Sequence, residues 1–176
     1  MFTIDDIRND PRFYIDERNL QRLFANGGGQ KYEVVFVRIG SILRNIEERI
    51  TTLYETDVYP YLLGKEQGRQ RYINYCDKYP IMRKNEDTYK KLIREMASQE
   101  YDIHRGAIVV DEYNFILDGL HRSCITLYKH GPFFKVQVLK CHSGRHYGKK
   151  YRCKLLYYKS IAFMKCLFEY IKRLFH

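Results

Sequence analysis

The amino-acid sequence predicts an α+β fold, a small mixed β-sheet with flanking helices, and three segments support this prediction. Residues 32–39 (YEVVFVRI) are apolar and β-branched, which is typical of a first strand in a sheet. Residues 107–139 have the pattern of a strand, a tight turn, a second strand, a helix and a return strand. Residues 155–176 contain neither proline nor glycine and have the periodicity of an amphipathic helix.

The segment before the first strand predicts a helical lead-in over residues 1–26, closed by the glycine triplet 27–29. That triplet indicates a flexible linker, because the Lys-Ser/Thr pair of a P-loop does not follow it. We therefore assign residues 1–30 to a lead-in and linker. Residues 1–20 are polar and charged throughout, so no secretory signal is expected.

The most informative motif runs from Asp118 to Arg122, where the second strand of the 107–139 segment ends. Gly119 permits a backbone conformation that is closed to other residues. The helix that follows offers unpaired N–H groups and a partial positive charge, which together favour an anion. His121 and Arg122 add side-chain donors, and the planar guanidinium suits phosphate oxygens. The motif predicts a phosphate site, although an Asp-Gly pair is also a common turn and Asp118 is a candidate cap for a helix that begins near His121.

This motif and its frame resemble the ParB/sulfiredoxin-like superfamily, whose members carry a short hairpin that ends in D-G-x-H-R or G-x-H-R before a helix. The resemblance covers about residues 79–141 and extends back to about residue 32. Residues 86–99 look like the helix that precedes the hairpin in that family. The resemblance implies a nucleotide-binding domain over residues 31–141.

Within the superfamily the chain is most similar in motif to the ParB-like free amino acid kinases. Sulfiredoxins place a catalytic cysteine between the glycine and the histidine, where this chain has Leu120, and Cys124 does not restore that geometry. The chromosome-partitioning ParB proteins carry a G-E-R-R box for CTP and a DNA-binding helix-turn-helix, and neither is present here. The resemblance therefore implies a phosphotransferase that uses ATP or ADP with Mg²⁺.

Several site residues follow from this resemblance. Asp118 would hold Mg²⁺ or orient an acceptor hydroxyl, and His121 is an acid–base candidate. Kinases of this fold use a glutamate soon after the first strand as the base, and by their order along the chain Glu47 and Glu48 are the candidates. The alternative is that both glutamates are surface residues of a helix. The cofactor-binding residues are expected to be Gly119, Leu120, His121, Arg122 and Ser123.

Residues 41–77 are longer than the corresponding loop of the family, and they predict a helical insertion rich in tyrosine, arginine and glutamate. Arg69 and Arg71 lie in this insertion. They are candidates for binding an anionic substrate or a second phosphate.

The positive charge of the chain is concentrated at its C-terminal end. The chain of 176 residues has a net charge of +10, and residues 140–176 hold ten Lys/Arg and one acid, a net charge of +9. Residues 1–139 therefore carry only +1. The composition changes where the family resemblance ends, and we assign residues 142–176 to a basic loop and an amphipathic helix.

Residues 140–154 predict a basic loop and residues 155–176 a helix. The expected polar stripe of the helix comprises Lys165, Glu169, Lys172 and His176. Its expected apolar face comprises Leu156, Phe163, Leu167, Tyr170, Ile171 and Leu174. The adjoining basic cluster comprises Arg145, Lys149, Lys150, Arg152 and Lys154. Such a helix packs either on its own domain or on a second subunit, or it lies on an anionic membrane surface through residues 145–176. Binding of nucleic acid is a further alternative, which is less favoured because no recognition module accompanies the basic residues.

Five cysteines without a CxxC pair argue against a disulfide framework, so we expect a cytoplasmic protein, with a peripheral position at the inner membrane face as an option. The expected function is a kinase that acts on a small hydroxylated metabolite or a glycan-linked acceptor, for which bacterial envelope polysaccharide synthesis is one setting. A non-catalytic nucleotide-binding assembly or regulatory protein and a DNA-associated ParB-like protein are the alternatives. A homodimer remains open.

Overall fold

The structure is a computed structural model that describes residues 4–9, 31–46, 49–78, 85–142 and 149–175. Within these residues the strands are β1 (Lys31–Arg38), β2 (Leu43–Ile46), β3 (Arg49–Thr52), β4 (Val109–Asp111), β5 (Ile116–Asp118) and β6 (Lys135–His142). The α-helices are α1 (Ile4–Asn9), α2 (Glu66–Lys78), α3 (Glu86–Ser98), α4 (Leu120–His130) and α5 (Lys149–Leu174). Short 3₁₀ turns lie at Ile39–Ser41, Leu53–Glu55, Tyr59–Leu63 and Ile103–Arg105.

The main sheet has the strand order β1-β6-β4-β5. β1 and β6 are antiparallel, β6 and β4 are parallel, and β4 and β5 are antiparallel. The sheet is therefore mixed, and the predicted α+β class is confirmed. The first strand, the β4–β5 hairpin, the helix after it and the return strand also occur where the sequence predicted them.

The β4–β5 hairpin is held by a polar turn. The buried carboxylate of Asp111 accepts the N–H groups of Tyr113 and Phe115, both at 2.8 Å. Asn114 lies between them with a φ of 67°, a left-handed conformation that asparagine tolerates better than most residues. This turn fixes β5, so that its last residue, Asp118, meets the start of α4 at a defined place.

The core lies between the sheet and the helices that cover one of its faces. α4 contributes Leu120, Cys124, Ile125 and Leu127 to this core, and α2 and α3 contribute Tyr72, Tyr75 and Tyr89. The facing sheet residues include Ile108, Val110, Val136 and Val138. The predicted helix over residues 86–99 is confirmed as α3, and the side chain of Asn85 caps it by accepting the N–H of Thr88 at 2.7 Å.

The insertion at residues 41–77 is less helical than predicted. It begins with the antiparallel β2–β3 hairpin, continues through two 3₁₀ turns, and becomes an α-helix only at Glu66. β-branched residues at the start of the segment explain the difference, since Ile50, Thr51 and Thr52 favour a strand and are buried there. Only the last part of the insertion, α2, matches the expectation.

The C-terminal helix α5 is longer than predicted, because it begins at Lys149 and not at Leu155. The predicted basic loop over residues 140–154 is wrong at both ends, since residues 140–142 continue β6 and residues 149–154 belong to α5. Residues 143–148 and, of the predicted lead-in, residues 1–3 and 10–30 lie outside the described part of the chain. Across the described residues, no helix has both the length and the apolar character needed to cross a bilayer.

Candidate phosphate-binding site

The turn between β5 and α4 requires glycine. Gly119 has a φ of 82°, and a Cβ atom added there would lie 2.9 Å from the carbonyl oxygen of Ala107 and 2.9 Å from the Cα of Ile108. Its N–H donates to Oδ1 of Asp118 at 2.7 Å. The prediction that Gly119 occupies a backbone conformation closed to other residues is confirmed.

α4 begins at Leu120, one residue earlier than predicted, and its N-cap residue is Gly119. Gly119 has no side chain to cap the helix, and the N-cap position is not Asp118, as predicted, but the residue after it. The physical reason is that the Asp118 carboxylate binds the N–H of Gly119, ahead of the first helical turn. The first turn of α4 has the unpaired N–H groups and the partial positive charge that favour an anion.

Ser123 and Leu120 support the turn from inside. The hydroxyl and the N–H of Ser123 both donate to the carbonyl oxygen of Gly119, at 3.0 and 2.9 Å, and the Ser123 side chain is fully buried. The Leu120 side chain also lies in the core. The side chains of these two predicted cofactor-binding residues are therefore buried and occupied in the fold.

Arg122 packs against a second glycine. A Cβ atom added to Gly106 would lie 2.3 Å from Cζ of Arg122, so the guanidinium covers the bare Cα of Gly106, whose φ is 139°. Tyr101 lies beside it, and its hydroxyl accepts the N–H of Ile108 at 2.9 Å. Burial raises the pKa of Tyr101 to about 12, with the charge of Arg122 acting in the opposite direction, so the phenol stays neutral. Sequence reasoning missed Gly106 and Tyr101, because neither lies in the motif.

A cavity of about 290 Å³ opens beside Arg122. Arg105 and Arg122 are its cations, and three acids face them. One acid, Glu100, is bound by Lys129 at 3.1 Å and His130 at 2.9 Å, and the hydrogen bond from Lys129 lowers its pKa. The lining residues are Leu92, Glu95, Met96, Gln99, Glu100, Tyr101, Asp102, Arg105 and Arg122.

His121 lies on a different side of α4 from Arg122. Its Nε2 is 3.0 Å from the hydroxyl of Tyr72, and three tyrosine rings of α2 and α3 surround it, with centroids 4.8 to 6.3 Å from its own. Adjacent helical residues point about 100° apart, which is why the two predicted donors diverge. Burial raises the pKa of Tyr72, so its hydroxyl remains protonated next to the imidazole. The surrounding tyrosines are Tyr72, Tyr75 and Tyr89.

Arg69 and Arg71 are each paired with a carboxylate. Arg69 donates to Glu86 at 2.9 and 3.2 Å, and Arg71 pairs with Asp57 at 3.0 Å. The hydrogen bond from Arg69, together with one from Lys90, lowers the pKa of Glu86 to about 2. The structure thus engages both arginines in linking α2 to α3 and to the preceding loop, and does not bring them to the Asp118–Arg122 turn.

Glu47 and Glu48, the predicted base candidates, lie outside the described residues. Asp118 is the predicted magnesium ligand. Among the described residues no group of three or more His, Cys, Asp or Glu side chains is arranged to hold a metal. One carboxylate is nevertheless compatible with Mg²⁺, because this ion commonly binds through one or two carboxylates, water and the phosphates of a substrate.

Comparison with known proteins adds no relative. No protein-family model, no curated protein and no solved structure matches the chain. The resemblance of the Asp118–Arg122 motif to the ParB/sulfiredoxin-like superfamily therefore stays a prediction.

Proposed function

We propose that the chain is a nucleotide-dependent phosphotransferase of the ParB-like type that binds the phosphates of ATP or ADP at the start of α4. The observation that carries this proposal is the turn at Gly119, where a left-handed glycine is the N-cap residue of α4 and places no side chain over its first turn. Arg122, three residues later, lies against Gly106 at the edge of a cavity. A helix N-terminus together with an arginine is a favourable environment for phosphate oxygens.

The reaction needs an acceptor with a hydroxyl group, such as a small metabolite or a glycan-linked alcohol. The hydroxyl oxygen attacks the terminal phosphorus, the bond from that phosphorus to the leaving nucleotide oxygen breaks, and the hydroxyl proton passes to a base. Arg122 and the first-turn N–H groups of α4 would stabilise the charge on the transferred group. Glu47, Glu48 and His121 remain the base candidates.

Asp118 has two compatible roles beside bound phosphates. Its Oδ1 accepts the N–H of Gly119 at 2.7 Å, which orients the carboxylate. Mg²⁺ bound to the nucleotide would neutralise phosphate charge, with Asp118 as a protein ligand. Without a metal contact, the same carboxylate can orient the acceptor hydroxyl.

A thermal-shift panel of ATP, ADP, CTP and GTP, each with Mg²⁺, tests the binding step. The Tm of the wild-type protein should rise with at least one nucleotide, because a ligand that binds only the folded state stabilises it. Arg122→Ala should abolish that rise. Arg94→Ala is the matched control, since Arg94 is an exposed arginine on α3. No shift with any nucleotide, or an equal shift in Arg122→Ala, would contradict the site.

Turnover is tested separately. Phosphorus NMR of the protein with Mg²⁺, the binding nucleotide and a panel of hydroxylated acceptors should show conversion to a phosphomonoester in the wild type. Asp118→Asn should slow that conversion, with a smaller effect on nucleotide binding than Arg122→Ala has.

One observation favours a second candidate, a nucleotide-binding protein without turnover. His121 is held by the Tyr72 hydroxyl within the tyrosine cluster, so it supports the fold at a place where a kinase would use a mobile acid–base group. Nucleotide binding that depends on Arg122, combined with no phosphomonoester from any acceptor, would favour this candidate over the kinase.

A further inference from the structure

The helix α5 has two apolar faces, and only one of them packs on the domain. The inner face is narrow and is buried through Leu155, Ala162 and Cys166. Cys166 Sγ lies 3.5 Å from the carbonyl oxygen of Gly40, and Lys165 binds Glu55 at 2.6 Å. The helix is therefore attached to the body of the protein by these buried side chains, by a ring contact of Tyr170 with Phe133 and by the ion pair of Lys165 with Glu55.

The outer face of α5 is a stripe of large apolar side chains, which we call the outer stripe. Its members recur at steps of seven, four, three and four residues, and so they line one side of a helix. They are Tyr157, Met164, Phe168 and Ile171 of α5 and Phe175 directly after its last residue, with exposed fractions of 64%, 62%, 59%, 42% and 80%.

The outer stripe is long, and further exposed apolar side chains lie beside it. From Tyr157 to Phe175 it extends about 27 Å along the helix axis. Leu156, 66% exposed, and Phe163, 47% exposed, widen it. The ring of Phe163 contacts Phe133 of the body, with centroids 6.0 Å apart. Exposed apolar surfaces of this extent mark a place where a protein meets another surface.

The charge of α5 identifies the kind of surface. The helix carries eight Lys/Arg and a single acid, Glu169, whereas residues 1–139 are nearly neutral. Lys172 Nζ lies 4.4 Å from the centroid of the Phe168 ring, at the edge of the outer stripe. From this position the aliphatic part of the Lys172 side chain can cover apolar surface while its ammonium group reaches the polar headgroups or water. Two copies of such a helix would repel each other, whereas an anionic surface would attract it.

We propose that α5 is an interfacial helix that lies on an anionic lipid bilayer, with the outer stripe in the boundary between headgroups and acyl chains. The inner face keeps the domain attached while the outer face is in the lipid, so membrane binding requires no unfolding of α5 from the body. The outer stripe inserts into the bilayer, and the excess of basic residues favours anionic headgroups.

Co-sedimentation with lipid vesicles tests this proposal. The wild-type protein should bind vesicles that contain phosphatidylglycerol and bind pure phosphatidylcholine vesicles much more weakly. The double variant Met164→Glu/Phe168→Glu should bind phosphatidylglycerol vesicles about a hundredfold more weakly, because burying each of these side chains contributes about a factor of ten.

The matched control is Gln67→Glu/Gln70→Glu on α2, which changes the net charge by the same amount at exposed positions away from α5. This control should bind vesicles nearly as well as the wild type. Equal loss of binding in both double variants would show that net charge alone drives adsorption, and would overturn the proposal for the outer stripe.

Two further outcomes would also overturn it. If sedimentation velocity without lipid shows a wild-type dimer that Met164→Glu/Phe168→Glu converts to monomer, a second copy covers the stripe. If Met164→Glu/Phe168→Glu lowers the Tm much more than Gln67→Glu/Gln70→Glu does, another part of the same chain covers the outer stripe.

Discussion

The helices α4 and α5 are both rich in apolar residues, but the protein uses them differently. α4 has 11 residues and buries six of them, so nearly every apolar side chain it carries faces the core. α5 has 26 residues and, among its described side chains, buries only Leu155, Ala162 and Cys166. Apolar content alone therefore does not identify a core helix. What distinguishes the two is that α4 is enclosed by the sheet and the tyrosines of α2 and α3, while α5 has the body on one side only.

The difference also separates two kinds of positive charge. At α4 the candidate site combines the start of a helix with one arginine set against a glycine, which is a local and shaped environment. At α5 the charge is a general excess of Lys/Arg over acids. A phosphate group at α4 would be selected by geometry, whereas an anionic surface at α5 would be selected by charge and apolar area.

The largest expected effect contrasts a core residue of α4 with a stripe residue of α5. Leu127 is fully buried, and Leu127→Ala should lower the free energy of unfolding by about 2–5 kcal/mol because it leaves a cavity. Ile171, 42% exposed, is the matched position on α5. Ile171→Ala should change the free energy of unfolding by less than about 0.5 kcal/mol. Urea denaturation measures the free energy of unfolding of both variants. Comparable losses of stability would contradict the conclusion that α4 is a core helix and that this side of α5 is exposed.

A smaller effect is expected at the glycine turn before α4. Gly119→Ala should destabilise the protein by about 1–3 kcal/mol, because it combines a positive φ with a Cβ only 2.9 Å from backbone atoms. Gly64 is the control, since its φ is 69° but a Cβ there has no atom within 4 Å. Gly64→Ala should cost about 1 kcal/mol from backbone strain alone. Equal costs in thermal or urea unfolding would show that the close approach at Gly119 has no energetic consequence.

The smallest effect concerns the ion pair that links α5 to the body. Burial acts to raise the pKa of Glu55, but hydrogen bonds from Lys165 and Thr52 outweigh it and leave the pKa below its ordinary value. The stabilisation is therefore fully present above about pH 4.5 and is lost as the pH falls through the lowered folded-state pKa. Lys165→Met should cost about 0–1 kcal/mol at pH 7, because both partners are partly exposed, and less near pH 3.

Lys172→Met is the control for that ion pair. Lys172 pairs with Glu169 at 3.2 Å within α5 and makes no link of this kind to the body. Stability curves from pH 3 to pH 7 should show an acid-sensitive loss for Lys165→Met only. The same curve for both variants would mean that the pair between α5 and the body does not contribute.

The sequence predicted those parts of the fold that depend on local patterns. The β-branched run at residues 32–39, the Asp-Gly pair and the uninterrupted helix near the C-terminus each determine a local conformation, and each occurs in the structure. The β2–β3 hairpin was missed because its four-residue strands give too short a pattern. Which face of α5 packs inward was also missed, since that depends on Gly40 and Glu55, more than a hundred residues earlier in the chain.

The candidate site was predicted in its backbone and not in its side-chain surroundings. Gly119 could be assigned because a strand that turns into a helix needs a permissive residue there. The directions of His121 and Arg122 are set by partners distant in sequence, Tyr72 for the first and Gly106 for the second. The abundance of tyrosine between residues 54 and 89 was the available signal for the cluster around His121, but composition does not specify contacts.

The most direct test of the phosphate site is a ¹⁵N–¹H NMR titration of the wild-type protein with ATP and Mg²⁺. If the start of α4 binds the phosphates, the largest amide shifts should occur at Gly119, Leu120 and Arg122, and they should saturate. If ATP acts only as a polyanion, the shifts should instead be confined to α5 and disappear at moderate salt concentration. That second result, or no shift at Gly119 to Arg122 at all, would contradict the proposed site.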